Sequence, residues 1–578
     1  MDFDSWVATG RPRTSCRASV LIAWAGLAVL LFATAPLHAD DLGGVLPSVR
    51  SRAVYRALPR PPGLPTDIEL EEAGAIIGKI ALEAQDVFDS SDPMDDSTLF
   101  RLANRLHVST LPHTIESQLL FAPGSRYSGH TLAESERILR SSRYLYDAHI
   151  RPVAYHDGVV DIEVRSRDVW TLTPGFSFGR SGGRNTVGFE LEELNLLGLG
   201  SELSIAAMSG VDRDSKTLIY RDRQLFGSWW GLSAELAETS DGHDRALALE
   251  QPFYALDARR AGGVVIEDDD RVDPLYDLGK VVRQFRTQQK LAAVYGGWSA
   301  GLLNGWTQRW RAGLRYDASN FSALPDAPTG FAAPPDRKLA YPFIGYERLQ
   351  DAYVTTRNRD QIERTEDFCV GWRFAAELGW ADRAFGSDRS ALITSASLSK
   401  GLDLTPRQSL MLGGALSGRI EQSDLVNGLA SASARYYFHQ SDRRLLFTTF
   451  EVDATSRLDP ERQILLGGDN GLRGYPLRYQ AGEGRFLFTA EQRWFSNWYP
   501  FRLFNVGAAA FFDMGRTWGD NRTGTPSLGL LKDVGVGLRL GNSRSASGNV
   551  LHIDVARPLD GDGSISGVQF LVETKARF

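Results

Sequence analysis

The sequence predicts a mainly β protein, a transmembrane antiparallel β-barrel preceded by a small α+β domain. Three observations carry this. From residue 171 onward, strands alternate charged and apolar positions and are broken by polar loops. The chain opens with the pattern of an export signal. It closes on an alternating strand, Val-Gln-Phe-Leu-Val-Glu-Thr-Lys-Ala-Arg-Phe, whose last residue is the aromatic Phe578.

The export segment comes first. Arg11, Arg13 and Arg17 form a basic region, and residues 20–32 are apolar and uncharged. Leu37-His38-Ala39 before Asp40 is a cleavage site, so residues 1–39 are expected to be a signal peptide. Ala33-Thr34-Ala35 fits less well because Pro36 follows it. The apolar run is shorter than the ~20 residues that a spanning helix requires. Cys16 would leave with the signal, and Cys369 alone would remain, which excludes an internal disulfide and a cysteine-based metal site. The nine histidines form no metal-ligand pattern, and no cofactor is expected. A net charge of −7 argues against nucleic acid as a partner. The mean hydropathy of −0.23 is compatible with a barrel, because lipid-facing and lumen-facing residues average out along each strand.

Residues 40–73 read as a Pro-rich periplasmic tether, with Pro47, Pro59, Pro61, Pro62 and Pro65 among scattered arginines. Residues 74–170 then mix helix and strand. A strand is expected over 76–88. Leu99, Leu102, Ala103 and Leu106 fall at helical spacing, and a short helix is expected over 114–121. Leu132, Ser135, Ile138 and Leu139 mark one face of a helix capped by Ser128 or Thr131. Two strands, 144–155 and 159–164, are joined through His156-Asp157-Gly158, and Asp-Gly between such runs is a hairpin signal.

Residues 171–578 form the expected barrel. In the last strand Val568, Phe570, Val572, Thr574, Ala576 and Phe578 share one face, and Gln569, Glu573, Lys575 and Arg577 share the other. Val534, Val536, Leu538 and Leu540 likewise oppose Asp533 and Arg539. Sixteen strands would leave roughly 25 residues per strand and connection, ample for the ~9–11 residues that cross a bilayer, and the sequence itself would equally allow fourteen or eighteen. The polar runs 267–273 and 323–338 are expected to be external loops. Trp229-Trp230 and Trp498-Tyr499 are expected at strand ends, where an apolar ring with a polar tip suits the membrane interface.

Two stretches carry the chemistry. Gly467-Gly468-Asp469-Asn470-Gly471-Leu472-Arg473-Gly474-Tyr475 puts a lone arginine at the tip of a glycine-rich loop. Phe511-Phe512-Asp513-Met514-Gly515 puts a lone aspartate on an otherwise apolar-and-glycine strand. If Phe512 faces lipid, Asp513 faces the lumen, and a loop folding inward would bring Arg473 to it. With the aromatic C-terminus, these stretches resemble the BamA/TamA superfamily of bacterial outer-membrane barrels, the bacterial surface antigen family. The order strand, two helices, hairpin, with Pro123-Gly124-Ser125-Arg126-Tyr127 before the last helix and Arg143-Tyr144-Leu145 after it, resembles one POTRA domain.

The resemblance implies sixteen strands, a loop latch of Arg473, Gly474, Tyr475 and Asp513, and a C-terminal insertion signal in Phe570 and Phe578. It also implies an outer-membrane location with the POTRA domain in the periplasm, and work on other polypeptides, inserting or translocating them. The partners implied are outer-membrane lipid, extended clients that add as strands to a sheet edge, and accessory proteins of the periplasm or inner membrane. The barrel's first and last strands would pair weakly and part. An exporter of one dedicated secreted protein and a passive channel are the alternatives. No catalysis is expected. Gly175-Phe176-Ser177-Phe178-Gly179 fits a hydrolase elbow in letters, but that motif needs a following helix and alternating strand residues surround it.

Overall fold

The structure is a computed structural model that describes residues 59–88, 98–328, 330–521, 525–544, 550–561, 565 and 567–575. The export segment, most of the tether and Phe578 lie outside the described residues.

The first unit is a three-stranded sheet in the order β1 (Ile76–Gln85), β3 (Val159–Asp168), β2 (Leu145–His156). Its helices are α1 (Asp67–Glu72), α2 (Thr98–Leu106), α3 (Pro112–Glu116) and α4 (Gly129–Arg140). Ser128 caps α4 by accepting from the Thr131 amide. Asp157 and Gly158 both take positive φ, 51° and 81°, the turn that matches the twist of a hairpin. Ile77, Leu132, Leu139, Leu145, Val160 and Ile162 form the core.

The boundary expected at residue 74 moves earlier. Thr66 and Glu69 form a capping box, α1 follows, and its Leu70 is fully buried in the same core.

The second unit is a closed antiparallel barrel of 20 strands, from β4 (Leu172–Ser181) to β27 (Gln569–Lys575). The expectation of about sixteen was low because many connections are only two residues long. Leu278-Gly279 and Asn304-Gly305 both turn with positive φ and leave more of the chain for strands. The run 267–273, expected as a loop, lies within β10 (Arg260–Asp277), and its Glu267 and Asp269 are buried on the inner face. The run 323–338 is largely the loop between β12 (Trp306–Ala323) and β13 (Arg337–Gln350).

The wall is inside-out relative to a soluble protein. Val536 is 60% exposed and Phe570 57%, whereas Arg539 and Asp513 are fully buried. Among the described residues no helix is long and apolar enough to cross a membrane. Trp229, Trp230 and Trp498 lie at strand ends, and Trp229 stacks on Tyr254 at 4.1 Å.

The barrel closes where β27 meets β4. Among the described residues that seam is one bridge pair, Val572 with Arg180, whereas β4 and β5 (Arg184–Glu193) pair from Leu172↔Glu193 to Ser181↔Arg184. Among the described residues the strands near the seam are short: 7 residues of β27, 10 of β4 and 8 of β6 (Glu202–Ser209), against 24 in β11 (Lys280–Leu303).

The α/β unit caps the end of the barrel at which β4 begins. Trp170 N donates to Arg544 O at 2.6 Å, Leu111 N to Gly198 O at 3.0 Å and Leu256 N to Glu134 Oε1 at 2.8 Å.

Candidate functional site in the barrel lumen

The Arg473 loop is the connection 457–483, between β20 (Arg444–Ser456) and β23 (Gly484–Phe495). It sits at the barrel end opposite the α/β unit and folds into the mouth instead of standing out from it. A short ladder, β21 (Ile464–Leu466) with β22 (Gln480–Gly482), holds its base. Glycines permit the close packing. A Cβ on Gly468 would lie 2.4 Å from Tyr475 O, and one on Gly474 would lie 2.6 Å from the Asp533 Cβ. Gly471 has φ +119°, a region that L side chains rarely adopt.

Arg473 meets Asp513, which lies on β24 (Phe504–Trp518). Its Nε donates to Asp513 Oδ2 at 2.7 Å and its Nη2 to Oδ1 at 2.9 Å, a bidentate pair. Phe511, two residues before Asp513 on the same inward face, lies under the guanidinium, with 3.3 Å from its carbon to the ring centre. Thr489 Oγ1 donates to Asp513 Oδ1 at 2.8 Å. Tyr475 is fully buried, and its hydroxyl donates toward Lys532 O at 2.8 Å and Asp560 O at 3.1 Å. That anchors the loop's exit to β25 (Leu531–Asn542) and to the connection after β26 (Val550–Pro558).

The structure adds residues to the expected pair. Glu491 on β23 accepts from Arg473 Nη1 at 2.9 Å with Oε2, and from Arg493 Nε at 2.9 Å with Oε1. Arg539 pairs with Asp554, and Asp554 Oδ2 lies 3.7 Å from Arg473 Nη1. In sequence Glu491 and Arg493 are two more polar positions in an alternating strand. Their one signal is that both are charged and share a face with Asp513's neighbours. Charges so placed, out of water, are held by one another. The arrangement can clamp a loop.

Beyond the clamp, the loop crosses the whole mouth. Arg419 makes a bidentate pair with Asp459 at 2.9 and 2.7 Å, and Arg478 reaches Asp212 in the turn after β6 at 2.7 and 2.8 Å. Gly182 of the β4–β5 turn is so close that a Cβ there would meet Leu477 N at 2.2 Å.

Phe570 points outward from β27; Phe578 lies outside the described residues. The stretch 175–179 lies inside β4, and a turn and β5 follow it. Among the described residues no group of His, Cys, Asp or Glu is placed to hold a metal ion.

The sequence matches no family model. No curated protein matches it either. Among solved structures it is similar to BamA from Haemophilus ducreyi lacking POTRA domains 1-3, at TM-score 0.38 and 13% identity over 87% of this chain and 84% of that one. It is similar to CdiB from Acinetobacter baumannii, at TM-score 0.44 and 12% identity over 87% of this chain and 73% of that one. CdiB from Escherichia coli gives TM-score 0.45 and 13% identity over 87% of this chain and 76% of that one.

Proposed function

We propose that this chain is an outer-membrane protein of the BamA/TamA type that inserts or translocates polypeptides, with its α/β unit serving in the periplasm as a single POTRA domain. The observation that carries the reading is the clamp. A glycine-rich loop enters the barrel and sets Arg473 bidentate on Asp513, at the two positions where the sequence resembles that superfamily. The seam between β27 and β4, one bridge pair among the described residues, supports it, since a wall that opens there offers a client strand an edge to pair with.

The work needs no covalent chemistry. A client adding to β2 would first displace the chain's own side chains. Glu136 Oε2 accepts from Ile150 N at 2.7 Å, and Arg140 and Arg364 donate to the carbonyls of Ala148 at 3.1 Å and Leu145 at 3.0 Å. A passive channel fits less well, because the Arg473 loop fills one mouth.

The test is an outer-membrane proteome after depletion of the protein. Broad loss of barrels supports an insertase. Loss of one secreted protein supports a dedicated exporter. An unchanged proteome and secretome would overturn the reading.

A further inference from the structure

We propose that residues 351–372 form a second plug, entering the lumen from the end that carries the α/β unit and fastened to the Arg473 clamp. This segment connects β13 to β16 (Arg373–Ala381), neighbours in the wall, where a few residues would serve. Instead it makes its own hairpin, β14 (Tyr353–Thr356) with β15 (Glu366–Cys369), and projects a tip inward.

The tip reaches far round the wall. Tyr437 of β19 (Asp424–Ser441) donates its hydroxyl to Asp360 Oδ1 at 3.1 Å. Asn505 of β24 donates to Ile362 O at 3.1 Å. Ile362 is buried among Tyr437, Leu445, Phe495, Ala509 and Val550, and a Cβ built on Gly541 of β25 would lie 3.4 Å from its Cβ. β25 is seven strands round the barrel from β16.

The segment is also tied to the α/β unit, both through β15 and through the β15 side of the tip. Arg140 holds Asp367 with two bonds of 2.7 and 2.8 Å, Thr365 Oγ1 donates to Asp147 at 2.7 Å and Tyr146 Oη to Glu363 O at 2.9 Å.

The two plugs meet. Arg493 donates through Nη1 to Arg359 O at the tip, at 2.8 Å, and through Nε to Glu491, whose other oxygen takes Arg473. One chain of contacts therefore runs Asp513, Arg473, Glu491, Arg493, Arg359. Arg493 and Glu491 are positioning residues that hold each plug against the other, and the lumen is closed from both ends. The inference concerns the resting lumen and stands whatever the client is.

The experiment is conductance of the purified full chain in planar bilayers. Replacing residues 358–364 by a Gly/Ser stretch should raise conductance several-fold while the protein still shifts on heating in gels. The pair Ile362→Cys with Gly541→Cys, with Cys16 and Cys369 changed to Ser, has the Cβ spacing of a disulfide. It should cross-link on oxidation, hold conductance at or below the wild-type level, and release it on reduction. Arg493→Gln should raise opening frequency without unfolding the barrel. Unchanged conductance in the folded 358–364 variant, or failure of the cysteine pair to cross-link, would overturn the second plug. A null result in the depletion proteome would leave it standing and remove only the client reading.

Discussion

Asp513 and Asp533 stand directly opposite each other in the β24–β25 ladder, both fully buried, and Arg473 is bonded to the first of them. Two buried carboxyl groups side by side do not both ionise, so the two acids are not equivalent. Asp513→Asn should loosen the loop, because it strips the arginine of its bidentate partner. Asp533→Asn should be nearly neutral, because it leaves Arg473 its bonds to Asp513 and Glu491. Heat-modifiability midpoints in detergent would show the contrast, and equal losses in the two variants would mean that the clamp is shared evenly.

The pair itself can be measured by a cycle. Removing one partner of a buried charge pair costs about 3–5 kcal/mol. Arg473→Ala and Asp513→Ala should each impair client insertion or alter conductance, and the double variant should be little worse than either single one. Glu491 complicates this in a readable way. It keeps a bond to Arg473 in the Asp513 variant, so Asp513→Ala should be milder than Arg473→Ala. Strictly additive defects would show that the contacts are not coupled.

How much of this the residues disclosed depends on range. Period-two alternation fixes which way a side chain points, so Asp513 inward and Val536 outward followed from spacing alone. Local signals also held at Ser128 and at Asp157-Gly158. The helix α1 has a local signal too, since Thr66 and Glu69 spell a capping box ahead of it, but the neighbouring prolines give the same stretch the composition of a tether. Strand number was not legible, because a polar lumen makes a charged strand segment such as 267–273 look like a loop. The roles of Glu491 and Arg493, and the inward course of 351–372, depend on hydrogen bonds across the lumen between residues as far apart as 143 positions. No periodicity encodes these.

Gly471 offers a steric test of the loop's path. Its φ of +119° is strained for any L side chain, and an added Cβ would lie 2.1 Å from Leu487 Cδ2. Gly183 in the β4–β5 turn also has positive φ, +82°, but a Cβ there meets nothing within 4 Å. Gly183→Ala should therefore cost only the roughly 1 kcal/mol of backbone strain. Gly471→Ala should displace the loop and mimic the loss of Arg473 in conductance. Wild-type conductance in Gly471→Ala would place the loop elsewhere.

The docking of the second plug on the α/β unit should depend on pH through His130. Its Nε2 lies 2.9 Å from Asp351 Oδ2 at the base of segment 351–372. That ion contact raises the His130 pKa above 6.5, against partial burial, with Glu134 adding to the rise and Arg137 opposing it. The same contact lowers Asp351 below 3.8, with Arg137 assisting. A raised folded-state pKa means that the contribution of His130 is complete below pH 6.5 and is lost as pH climbs through the raised value. The depressed Asp351 contributes above pH 3.8 and fails as pH falls through its lowered value. The contact is therefore strongest between these limits and weakens on the alkaline side first. An NMR titration of the His130 ring in detergent-solubilised protein should give a midpoint above 6.5 that returns toward it in Asp351→Asn. Opening frequency in bilayers should rise from pH 6 to pH 8.5 in the wild type and stay flat in His130→Gln, whose side chain does not titrate. A His130 midpoint at or below 6.5 would show that the ring does not hold the plug.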